Sequence, residues 1–116
     1  MIDSWISEIK SHPQSSSIGM ILVHNGIVRA TSKEGKPVKG MRLSYNAQKL
    51  NEIIKEIKNR EGVFEVRVWI NEGELKIGDD IMKVLVAGRF RTDVIPALQE
   101  LVSRIKNEVV HEEEII

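Results

Sequence analysis

The chain has 116 residues, 17 basic and 17 acidic side chains, 41% hydrophobic residues and no cysteine. That length suits one domain, residues 1–116, which can bury a core without a disulfide or a structural metal, and the lack of cysteine excludes thiol catalysis and Cys-ligated metal sites. Zero formal net charge removes the electrostatic basis for a nucleic-acid or membrane-surface partner, and no apolar run approaches the roughly 20 residues that cross a bilayer, so a cytoplasmic protein is expected.

In chain order, Asp3 or Ser4 caps a short helix with Trp5, Ile6 and Ile9 on its apolar side, ended by Pro13 and Ser15-Ser16-Ser17. Ile18 to Val23 reads as a strand covered on both faces, broken by Asn25-Gly26, with extended character resuming over Ile27 to Ala30. Thr31 to Pro37 is a polar loop, and Met41, Leu43 and Tyr45 alternate with polar residues as a half-buried strand. Ala47, Leu50, Ile53, Ile54 and Ile57 fall at helical spacing over 47–60. Phe64, Val66, Val68 and Ile70 mark the next strand, Leu75 and Ile77 a short one, and Ile81 to Ala87 an apolar one. Thr92 or Asp93 caps a last helix with Val94, Leu98, Leu101, Val102 and Ile105 inward, and Pro96 in its first turn costs little. The tail from His111 to Glu114 reads as a solvated acidic run. The order α-β-β-β-α-β-β-β-α predicts an α+β fold, a mixed or antiparallel sheet with helices packed on it.

The three histidines, His12, His24 and His111, lack metal-ligand spacing, and no phosphate-cradling glycine loop or nucleophile elbow is present; neither a metal nor a cofactor is expected. The residues that suggest chemistry are basic. Arg29 follows a strand, Arg89 and Arg91 stand where a strand hands over to the last helix, and Lys106 ends that helix. Arg91 has the sign of the helix dipole at that end, which points to an anion or a carboxylate partner, whereas Lys106 suits the dipole at its own end.

The run Gly19-Met20-Ile21-Leu22-Val23-His24-Asn25-Gly26-Ile27-Val28-Arg29, the segment Asn71 to Asp79 around Gly73-Glu74-Leu75-Lys76-Ile77-Gly78, Arg91 before the last helix and Lys106 fifteen residues later together resemble the catalytic (large) subunit of molybdopterin synthase. The resemblance covers residues 1 to about 113 and implies an α/β-hammerhead type of fold and a homodimer. It further implies a ubiquitin-like small subunit whose C-terminal Gly-Gly thiocarboxylate passes sulfur to a cyclic pterin monophosphate. On this resemblance Arg29, Arg91 and Arg89 bind anionic parts of the substrate or tail, and Lys106 is the catalytic lysine, set beside Arg91. The chain departs from the pattern at Phe90, where the family has His, at His24, where it has another aromatic, and at Glu113, where a second lysine falls. Lys83 or Arg89 stands in for lost charge on one reading. On the alternative reading, the chain is a non-catalytic homologue that binds a ubiquitin-like partner or a pterin without chemistry.

Overall fold

The computed structural model describes residues 1–116. Three helices, α1 (Ile2–Lys10), α2 (Ala47–Lys58) and α3 (Arg91–Arg104), accompany six strands: β1 (Met20–Ile27), β2 (Gly40–Tyr45), β3 (Val63–Ile70), β4 (Gly73–Lys76), β5 (Asp80–Gly88) and β6 (Val110–Ile115). The strands form two antiparallel sheets of three, in the orders β1-β5-β3 and β4-β2-β6. The α+β architecture with helices packed on antiparallel sheets is the one expected.

β5 is central in its sheet and covered on both faces, which explains its unbroken apolar run. Met82, Val84 and Val86 join the main core beneath α2 and α3, while Leu85 and Ala87 pack on the other face with Ile9 of α1. Alternation along β1 follows the same division: Met20 and Leu22 turn to the main core, Ile21 and Val23 to the α1 side. β1 is an edge strand, and its side chains are half-buried instead of covered. Asn25-Gly26 does not break it; the ladder continues to Ile27 with a register shift at Gly26, the place of a bulge.

Helix ends follow local chemistry. Asn46 caps α2 by accepting a hydrogen bond from the Lys49 N–H at 3.0 Å. α1 is capped at Met1, two or three residues before the expected cap, and the Ser4 hydroxyl donates to the Met1 carbonyl at 2.8 Å instead. α3 is entered from Phe90 with no side-chain cap; Thr92 lies inside the first turn, and Asp93 turns to Arg89. Tight approach of two backbones fixes this corner. The Arg89 N–H donates to the Gly62 carbonyl at 2.9 Å, and a Cβ on Gly88 would collide with that same carbonyl oxygen.

The C-terminal acidic run is exposed at His111, Glu113 and Glu114, as expected, but it is a paired strand and Glu112 is half-buried. After α3 the chain widens into a π turn, Ile105–Val109, and reverses into β6, which pairs with β2 from Tyr45↔Val110 to Gly40↔Ile115. Arg42 of β2 stands opposite Glu113 on one side and Glu74 on the other, so the acidic run meets an opposite charge across the ladder. The pleat sends successive residues of β6 to opposite faces.

Candidate functional site

The polar loop after β1 and the inner face of the small sheet enclose a cavity of about 470 Å³. Arg29 lines it, with Lys33 and Lys36 from the loop, Met41 from β2, and Glu112 and Glu114 from β6. Arg29 is exposed, and its Nε donates to the Thr31 carbonyl at 2.9 Å, which folds the side chain over its own loop. The loop is closed by the Thr31↔Pro37 bridge and by the Val38 N–H donating to Ala30 O at 2.9 Å. This leaves the guanidinium on a fixed base at the end of a strand, the usual position for a binding residue.

Lys106 reaches the same region from the π turn. Its Nζ donates to Glu112 Oε1 at 2.7 Å, a charge-assisted hydrogen bond that ties the helix end to the cavity wall. Glu112 is thus the acidic residue that meets Lys106. Glu113, where a second family lysine falls, points to the opposite face of the small sheet, with Arg42, Ser44 and His111 around a separate shallow hollow.

His24 completes the surroundings of Lys106. It sits on β1 against Leu98, Val102 and Ser103 of α3, and its Nε2 is sealed from water with no hydrogen-bond partner. Burial, and next to it the positive charge of Lys106, holds its pKa below the ordinary 6.5, so the ring is neutral at pH 7.

The remaining basic residues are elsewhere. Arg91 and Lys106 are fifteen residues apart along one helix and its continuation, which at about 1.5 Å per residue puts them roughly 22 Å apart. Within one chain they do not share a site, contrary to the expectation. Arg91 is exposed and takes part in none of the chain's ion pairs. Arg89 is already engaged: its Nε bonds Asp93 at 2.8 Å, its NH2 approaches Glu61 at 3.2 Å, and its guanidinium lies 5.3 Å from the Phe90 ring centre. These carboxylates hold the Arg89 pKa above its ordinary value. Lys83 is on the α1 face of the large sheet, 5.7 Å over the Trp69 ring and 3.5 Å from Asp80, so it replaces no charge near Lys106.

Two residues of this constellation were not singled out by sequence for their chemistry, Glu112 and the buried nitrogen of His24. The signal for Glu112 was the flanking of the acidic run by β-branched Val110 and Ile115, which marks a strand and hence an inward-pointing alternate residue. Nothing local signalled the isolation of the His24 nitrogen, because it depends on the placement of α3.

A family model described as MoaE protein matches residues 2–108. An uncharacterized protein of Methanocaldococcus jannaschii is 34% identical over 92 residues, 76% of this chain and 77% of that one. Molybdopterin synthase from Staphylococcus aureus superposes with a TM-score of 0.74 at 26% identity, over 85% of this chain and 75% of that chain. The molybdopterin biosynthesis MoaE protein from Burkholderia ambifaria superposes with a TM-score of 0.77 at 19% identity, over 99% of this chain and 82% of that one. A complex of subunits 1 and 2 of the molybdopterin-converting factor from Helicobacter pylori gives 0.76 at 16% identity, over 99% and 75%. At these last two identities the likeness is one of fold.

Proposed function

Because the chain belongs to the MoaE protein family, whose role is in molybdenum cofactor biosynthesis, we propose that it acts in the cytoplasm as the large subunit of a molybdopterin synthase. On this reading residues 1–116 form one unit that passes sulfur from a thiocarboxylated ubiquitin-like small subunit to a cyclic pterin monophosphate. The observation that carries it is that Arg29 and Glu112 line one cavity and Glu112 holds the Lys106 ammonium at 2.7 Å. Both the substrate phosphate and the tail terminus are anions, and preorganised cations at a partly enclosed site hold such groups far better than cations in bulk water. In this reading Arg29 binds the anionic part of the substrate or tail, and Lys106 stabilises charge or moves a proton where the acyl–sulfur bond breaks.

A homodimer gives Arg91 its place. β1 is an unpaired edge with no charged residue in it, and none of the usual devices that blunt an edge, Lys or Pro, is present. Antiparallel pairing of two β1 strands about a two-fold axis sets the Met20 end of one against the Ile27 end of the other. Met20 is paired with Gly88, three residues before Arg91. Arg91 of the second copy is then carried toward Arg29 and the Lys106 end of α3, whereas Arg89, bound to Asp93 and Glu61, braces the helix that presents it.

The test is conversion of the cyclic pterin precursor by the purified protein with a thiocarboxylated small subunit. Turnover in wild type that is lost in Lys106→Ala supports the enzymatic reading. The departures at Phe90 and Glu113 favour a second reading, a homologue that binds the small subunit or a pterin without chemistry, and binding without turnover decides for it.

A further inference from the structure

Lys106 has a long, flexible stem on a π turn, and its side chain is 39% exposed, yet its ammonium is held. The holding group is Glu112, only 25% exposed, whose strand is pinned to β2 opposite Leu43. His24, whose ring feels the Lys106 charge, is neutral and offers no negative charge. Glu112 is therefore the single anionic partner of Lys106, and it belongs at the same time to the wall of the Arg29 cavity.

We propose that Glu112 is a specificity-determining residue: its carboxylate fills the anion position at Lys106, so free anions are refused and a terminal carboxylate or thiocarboxylate enters only when a docked protein delivers it. The inference rests on the reading of Lys106 as part of the tail-binding site. An anion from bulk solution that approaches Lys106 meets a cation already neutralised at 2.7 Å, together with the repulsion of Glu112 and of Glu114, the next inward residue of the same strand. To bind, it must displace an intramolecular partner that stays tethered within reach of the ammonium. A tail attached to a docked domain competes on equal terms, since tethering supplies a local concentration on the order of millimolar whatever the bulk concentration is. The exchange is of one carboxylate-type oxygen for another at the same ammonium, so no bond is made or broken and charge is conserved. Glu112 then swings into the cavity or toward solvent, which its partly exposed side chain allows.

The probe is a short peptide ending in Gly-Gly, used with a free C-terminal carboxylate and with a C-terminal amide, titrated by fluorescence anisotropy into wild type, Glu112→Gln, and Glu112→Gln combined with Lys106→Ala. Glutamine keeps the strand and the shape but not the charge. Glu112→Gln is expected to bind the carboxylate peptide at least tenfold more tightly than wild type does, with the amide peptide unchanged and the gain abolished when Lys106 is also removed. A purely structural role for Glu112 would move both peptides together. Equal or weaker binding of the carboxylate peptide by Glu112→Gln overturns the inference, as does a gain that survives loss of Lys106, or no binding to any variant. The sulfur-transfer assay with the intact small subunit is judged separately. Turnover without the peptide effect leaves the enzymatic reading standing and this inference refuted, and the reverse result separates them the other way.

Discussion

Replacing His24 by Phe is expected to stabilise the fold, and by more in mild acid than at neutral pH. The His24 Nε2 is sealed from water and has no partner, and a buried polar atom left unsatisfied costs about 1–3 kcal/mol. His24→Phe keeps a ring against Leu98 and Val102 while removing that atom. The larger ring costs about 1 kcal/mol where packing is tight, so the net gain near pH 7.5 is about 0–2 kcal/mol. The pH-dependent part has a definite sign. Burial, and then Lys106, lowers the His24 pKa from 6.5 in the folded chain, so between that lowered value and 6.5 the unfolded chain binds more protons. Wild-type stability is therefore full above about pH 6.5 and declines below it, by at most about 1.4 kcal/mol per pH unit, until the folded ring also protonates. The depressed carboxylates Glu65, Asp80 and Glu108 start from ordinary values of 4.5, 3.8 and 4.5, and their contribution is lost only at lower pH. Urea unfolding followed by circular dichroism at about pH 7.5 and pH 5.5, with matching slopes for both proteins, measures the difference. A variant less stable than wild type at the higher pH, or one that loses as much on acidification as wild type, refutes the reasoning.

Arg29→Ala and Arg91→Ala are each expected to weaken binding of the small subunit or the pterin by about 1.5–3 kcal/mol, the range for charge-assisted hydrogen bonds, as read by titration calorimetry. Arg89→Ala should instead lower the melting temperature, because Arg89 is bound to Asp93 and Glu61; weakened binding with an unchanged melting temperature counts against this assignment. Ile27→Lys puts a charge at an exposed position of the free β1 strand and should yield a folded monomer by light scattering, where wild type gives a dimer. Gly88→Ala drives a methyl into the Gly62 carbonyl oxygen and to 2.8 Å from Val94 Cγ2, a backbone clash expected to cost about 1–3 kcal/mol and to lower the melting temperature by roughly 4–8 °C per kcal/mol.

Much of the fold was legible because its elements carry clear periods. The apolar residues Leu50, Ile53 and Ile57 of α2 are buried where a 3.6-residue repeat puts them. The apolar run of β5 announced a strand with both faces covered, and it is the strand between two neighbours. The same signature in Ile18 to Val23 marks cover on both faces but carries no sign of the open edge that leaves β1 half-buried. β1 has α1 on one side and α3 on the other but only one strand partner, and sequence records the cover on the faces of a strand, not the occupancy of its edges. Asn25-Gly26 reads as a strand break because the pair favours a turn, yet pairing with β5 across Asn25↔Lys83 and Gly26↔Met82 outweighs that local preference, and a bulge absorbs the conflict.

The site was legible one residue at a time but not as a set of distances. Arg29 and Lys106 stand out as charges at the ends of elements, where ligands are met, and placing Arg91 beside Lys106 follows from treating the basic residues that the resemblance implies as a single pocket. The helix between them forbids this within one chain, because fifteen residues from Arg91 to Lys106 make a rod about 22 Å long and not a loop. The Lys106–Glu112 pair was hidden for the opposite reason. Six residues of helix would hold the two apart and turn them from each other, and only the reversal through the π turn into β6 brings the carboxylate back to 2.7 Å from the ammonium. A run of glutamates reads as solvated when each is weighed by its own cost of burial. What decides the matter is the partner strand, because β2 offers Arg42 opposite Glu113 on the outer face, and Lys106 waits for Glu112 on the inner one. Alternation then divides one acidic segment into two roles, with Glu113 on a surface ladder and Glu112 at the ammonium that the proposed chemistry needs.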